Sequence, residues 1–183
     1  MCRWRDTRSH QMDLPHQFRH RVDLLLATEK TLAGDAKWQT GPYDGEFRWL
    51  SPLAIDGVTI GMNLIVSFYP RFAPPEYHIN LIYEASISRL DFSDTDRHRN
   101  HLVKGVPTPS GVELGWLYGP HHHRWAENRM LADFKRGPKE LEFAISVPAS
   151  MSFDSAFRYF CGVNKIIVAA NEVPVPPARD TIL

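Results

Sequence analysis

The chain has few cysteines, only Cys2 and Cys161. Two thiols cannot build a disulfide framework, and reduced thiols in a cytoplasmic protein are the plain expectation. No apolar run approaches the roughly 18 residues that a membrane span needs. The N-terminus lacks the apolar region of a signal peptide. Charge of one sign is also missing, since Lys+Arg and Asp+Glu stand at 21 each. That balance argues against a protein built mainly to clamp a polyanion, and it leaves room for a local basic patch. There is no Gly-x-Gly-x-x-Gly and no phosphate loop, so no nucleotide cofactor is expected. A Gly-x-Ser-x-Gly elbow is absent too. Cys161 lies in an apolar helical pattern, a poor setting for a nucleophile.

What is present reads as one globular domain. The 183 residues are 43% hydrophobic and 23% charged, close to the ordinary balance of a folded chain. Residues 1–11 are polar and aperiodic, with Arg3, Arg5, Arg8 and His10. They read as an extension ahead of the domain, with Met12 a candidate start. Residues 12–171 read as the domain. Residues 172–183, with Pro174, Pro176 and Pro177, read as a tail.

Periodicity supplies the elements. A helix is expected over 14–32, capped by Asp13, with Phe18, Val22, Leu25 and Leu32 on one face and Gly34 beyond its end. The period then changes to two. Phe47 and Trp49 alternate with charges, Pro52 marks a break or bulge, and Asp56-Gly57 is a hairpin turn. Val58, Ile60, Met62, Leu64, Val66 and Phe68 line one face of the best strand in the chain. Tyr77, Ile79, Leu81 and Tyr83 form the next. A strand over 86–92 sets Leu90 and Phe92 on one face and Arg89 and Asp91 on the other, open face. Residues 94–111 read as a loop. Val112, Leu114, Trp116 and Tyr118 resume alternation, as do Leu141, Phe143, Ile145 and Val147. Ser152 caps a last helix carrying Phe153, Ala156, Phe157 and Phe160, and Gly162 stops it. The sum is an α+β fold: an antiparallel β-meander of about six or seven strands with an N-terminal and a C-terminal helix packed on one face.

The chemistry concentrates in residues 89–128, which hold His98, His101, His121, His122 and His123 of the nine histidines. Arg89, Asp91, Asp94, Asp96 and Arg124 lie among them. Imidazoles exchange protons near neutral pH and arginines stabilise anionic transition states. His98 or His101 as base, His121 or His123 as acid, and Arg89 or Arg124 holding a phosphate would suffice for metal-free cleavage of a phosphodiester, with Asp91 in support. A second reading makes His98, His101, His121 and His123, with Asp91 or Asp96, ligands for zinc or another divalent ion. In an extended segment His121, His123 and Trp125 share a face, and His122 is left to solvent.

Two stretches carry resemblances. Arg89-Leu90-Asp91-Phe92, then His98-x-Asn100-His101 and the later His121-x-His123-x-Trp125, resemble small bacterial proteins of largely unknown function. They are loosely similar to the TumE-type toxins of toxin–antitoxin pairs, whose Arg-x-Asp-Asn strand is followed by His-x-His; here Phe92 stands in the Asn position. That resemblance implies a toxin-like RNA hydrolase with an antitoxin-like protein partner. Separately, the helix, meander and Tyr69-Pro70-x-x-x-Pro74-Pro75 resemble RWD and ubiquitin-conjugating-like domains. With no cysteine shortly downstream, that likeness implies a non-catalytic protein–protein interaction module using Phe72, Pro74 and Pro75.

Overall fold

The computed structural model describes residues 14–133 and 141–178. Helix α1 spans Leu14–Ala27 and buries Phe18 and Val22, one turn apart, against the sheet. It is shorter than the apolar spacing predicts. Lys30–Leu32 instead forms a short strand, β1. The cause is visible at Lys30, which is fully buried: its ammonium donates to the carbonyls of Leu25 at 2.7 Å and Thr28 at 2.6 Å. These are acceptors that a helix end leaves open. Asp13, the expected cap, lies outside the described residues.

The centre of the fold is an antiparallel meander of β3 (Phe47–Ile55), β4 (Val58–Tyr69), β5 (Glu76–Tyr83) and β6 (Ala85–Phe92). A two-residue strand β2 (Gln39–Thr40) pairs with β3. Asp56 and Gly57 take φ of 51° and 78°, the two positive angles that a tight hairpin turn demands. The β3–β4 register shifts between Pro52 and Ala54, where the proline cannot donate to the ladder. Met62, Leu64, Val66 and Phe68 are all buried, while Val58, at the hairpin tip, is exposed.

The second half adds shorter pieces. β7 (Arg97–Asn100) and β8 (Gly115–Tyr118) form a separate two-stranded ribbon. β9 (His121–His123) leads into α2 (Trp125–Asn128), which continues as a 3-10 turn, Arg129–Asp133. Then come β10 (Ile145–Ser146), α3 (Phe153–Val163) and β11 (Ile166–Ile167). The main sheet runs β10-β9-β6-β5-β4-β3-β1-β11, all antiparallel but for the parallel pair β1 and β11. Helices α1 and α3 meet one face of it. Phe18, Val22, Phe157 and Phe160 share a single core with Leu64, Ile79 and Leu90. Trp49 packs edge-on to Phe157 at 5.9 Å. This is the expected α+β fold, extended at both sides by short strands.

Several further expectations change. The stretch 94–111 is not all loop, because Arg97–Asn100 is a strand; having no apolar residue, it shows no period. Leu114, Trp116 and Tyr118 do alternate, but their face looks outward, and only Val112 is buried, in a small second cluster with Val106, Leu131 and Phe143. Between Leu141 and Val147 only Ile145 and Ser146 pair as a strand. Helix α3 starts as expected, with Ser152 Oγ accepting from the Ser155 amide at 3.2 Å. It passes Gly162 and ends at Val163, and Lys165 takes the left-handed φ of 51°. At the far end, Val173 packs against the core and Pro174 is buried.

Candidate functional site

Register builds the site. β9 pairs with β6 so that Arg89 faces His123, Leu90 faces His122 and Asp91 faces His121. Directly opposed residues share a sheet face. His121 and His123 therefore stand with Asp91 and Arg89 on the side away from the helices. His122 goes with Leu90 into the core. Three consecutive imidazoles are thus split two and one.

The ribbon closes over the first group and delivers His98. Its ring centroid lies 5.5 Å from that of His121 and 4.6 Å from that of His123, and the latter two are 5.1 Å apart. One ring nitrogen from each of the three falls within 4.8 Å of the others. Asp91, Asp96 and His121 form an overlapping group on the same criterion. His121, His123 and Asp91 are buried, and His98 is half-buried. The expected open face is therefore closed at Asp91.

The surroundings fix the rings. His98 Nε2 donates to the Glu142 carbonyl at 2.9 Å, and His121 Nδ1 donates to the Gly119 carbonyl at 2.9 Å. Each main-chain bond places a proton on that nitrogen, so in the neutral ring the opposite one, His98 Nδ1 or His121 Nε2, carries the lone pair. His123 Nε2 lies 3.2 Å from Arg89 Nη2, and His123 Nδ1 is buried without a hydrogen-bond partner. Burial lowers the proton affinity of His98, against the opposing pull of the Glu142 carbonyl. It lowers that of His123 as well, partly offset by Asp91. Neutral imidazoles with a free lone pair are what a divalent metal takes.

Asp91 anchors the group. One carboxylate oxygen accepts from His78 Nδ1 at 2.8 Å, and the other accepts from Arg89 Nε at 2.8 Å. The second oxygen also stands 3.5 Å from Nε2 of both His121 and His123. Burial alone would raise this carboxyl. The hydrogen bonds from His123 and His78, with the Arg89 charge, outweigh it and hold the group well below the usual carboxylate range. His78 was not among the expected site residues. Its signal was its outward position in β5, directly opposite Asp91.

The remaining expected residues lie elsewhere. His101 is exposed just beyond the end of β7 and is not part of the cluster. Arg124 precedes α2, is paired with Glu127, and acts electrostatically on His122 and Tyr159. His122 is not in solvent. It is fully buried, with Nε2 2.9 Å from Ser88 Oγ, Nδ1 3.2 Å from the Tyr159 hydroxyl, and its ring against Phe160. Burial pushes it down to about 3, so it is a neutral packing residue. Trp125 does not share the His121 face, since α2 turns it into the main core against Phe18. Phe72 is partly exposed beneath the Arg71 guanidinium, and Pro74 and Pro75 help line a pocket of about 310 Å³ between Phe68 and Phe153. No helix among the described residues is long and apolar enough to cross a membrane. No family model, curated protein or solved structure matches this chain.

Proposed function

We propose that this protein binds a divalent transition-metal ion, zinc or a near relative, through His98, His121 and His123, with Asp91 and Asp96 beside it. One observation carries the reading. Two of the imidazoles are locked by main-chain carbonyls through one ring nitrogen, which leaves the other for a ligand, and the third buries a ring nitrogen with no partner. Hydrogen bonds from the far ring nitrogen to a carbonyl are what orient metal-binding histidines. Three nitrogen ligands leave a coordination position for water, and an ion so held makes that water ionise near neutral pH. Asp91 holds Arg89 and His78 around the centre, where Arg89 is placed to meet an anionic group.

The metal-free alternative, a toxin-like hydrolase cutting RNA by acid–base catalysis, has one specific support: the Arg89 guanidinium lies 3.2 Å from His123 Nε2. Burial of His121, His123 and Asp91 weighs against it, because an acid and a base must both touch the substrate.

Elemental analysis and cobalt titration of protein prepared without a histidine tag test the choice. One equivalent of ion is expected, and His98→Ala, His121→Ala and His123→Ala should each weaken binding by at least about 100-fold. His101→Ala should change nothing. Protein that holds no ion, or a loss at His101 equal to that at His123, overturns the reading.

A further inference from the structure

The ribbon that carries His98 inward presents a different surface outward. Arg97 is opposite Tyr118 and Arg99 is opposite Trp116, so the four side chains share one face, and His98 and Asn100 occupy the other. Trp116 is 50% exposed and Tyr118 73%. Both guanidiniums lie over the one indole, at 5.5 and 5.6 Å from its centroid. The Trp116 and Tyr118 rings are 6.4 Å apart and tilted by 31°. Arg21, Arg71, Arg89, Arg124, Arg129 and Arg158 each have a carboxylate partner. Among the described residues Arg97 and Arg99 have none. The Asp96 carboxylate, next in sequence, accepts from the Arg97 amide rather than its guanidinium.

Two unneutralised arginines bracketing exposed aromatic rings match a ligand with regular negative charge and flat π faces. We infer that this ribbon face binds single-stranded nucleic acid, with bases stacked on Trp116 and Tyr118 and phosphates met by Arg97 and Arg99. RNA is the form we commit to, because it occurs chiefly with unpaired segments whose bases are free to stack. A duplex would hide those faces. The zero net charge of the chain is no obstacle, since the requirement is local. This surface does not use the ring nitrogens of the metal centre, so the two proposals stand or fall separately.

The test is fluorescence anisotropy of the full chain with a labelled oligouridylate of about 12 nucleotides, a length that spans an ordinary stacking platform. Trp116→Ala and Tyr118→Ala should each weaken binding by roughly tenfold. Arg97→Gln and Arg99→Gln should each reduce the salt dependence by about one unit of slope. Tyr43→Ala, an exposed aromatic outside the ribbon, should bind as wild type does. Chelator should leave binding unchanged even if the ion is lost. Should Trp116→Ala fail to fold, Tyr118→Ala and the arginine variants carry the test. The inference is overturned if wild type does not bind RNA, if folded ribbon variants bind as wild type does, or if chelator abolishes binding. It is equally overturned if an acidic peptide competes better than RNA, which would make the face a protein-docking surface, or if DNA of the same sequence binds more tightly.

Discussion

Asn100 pairs with the main chain of Ala144 as a neighbouring strand would. Its side-chain oxygen accepts from the Ala144 amide at 2.9 Å, and its side-chain nitrogen donates to the Ala144 carbonyl at 2.9 Å. One residue earlier, Asn128 does the same to Phe143, at 2.9 and 2.8 Å. Two amide side chains thus take the place of a β ladder along a segment with few strand bonds of its own. The Glu142 carbonyl that orients His98 belongs to the same segment.

Replacing Asn100 by Ala strands two buried main-chain groups. The expected loss is roughly 2–4 kcal/mol in denaturant unfolding. Because the segment also holds His98, affinity for the ion should fall about 10–100-fold. A variant with unchanged stability would show that water replaces the amide.

Leu64 and Phe157 face each other's cluster from the sheet and from α3, and both are fully buried. Leu64→Ala should cost about 2–5 kcal/mol and Phe157→Ala about 3–5 kcal/mol. A loss below about half a kcal/mol in either melt would contradict this packing.

Lys30 gives stability an unusual alkaline dependence. Burial, with the Lys165 charge nearby, lowers its ammonium to about 8. Between about pH 8 and 10.4 the folded chain therefore holds fewer protons at this site than the unfolded chain does. Stability from this site rises with pH across that window and is lost as pH falls back through the folded value. Wild type should gain on Lys30→Met over the same range, and a flat difference would refute the assignment.

Cys161 is buried in α3, and burial pushes its thiol up to about 12. Iodoacetamide applied at about pH 8, where ordinary thiols react, should leave the Cys161 peptide unlabelled until denaturant is added. Labelling of the native protein at a free-thiol rate would mean that α3 opens readily.

The long strands were legible because each carries its own period. Met62 to Phe68 and Tyr77 to Leu81 alternate over enough residues to fix which face is buried. The hairpin turn and the Ser152 cap rest on local chemistry and were equally readable. β7 was hidden because Arg97-His98-Arg99-Asn100 has no apolar member. The outward face of Trp116 and Tyr118 was hidden for the opposite reason, since alternation reports two faces and not which of them meets the core. At the site, the chain spacing offered four histidines. Alternation sets His122 apart from its neighbours, but only the β6–β9 register turns it into the core, and only the end of the ribbon separates His98 from His101. Both are long-range pairings that no local pattern encodes.

The sheet is bounded on one rim by Ile145–Ser146 and on the other by Ile166–Ile167. Strands this short offer an incoming chain almost no free ladder of N–H and C=O groups. The long, strongly β-prone strand β4 lies inside, with neighbours on both sides. The folded protein is thereby shielded from edge-to-edge stacking at high concentration. The hazard passes to the unfolded chain, where Leu64-Ile65-Val66 has neither charge nor proline to interrupt it.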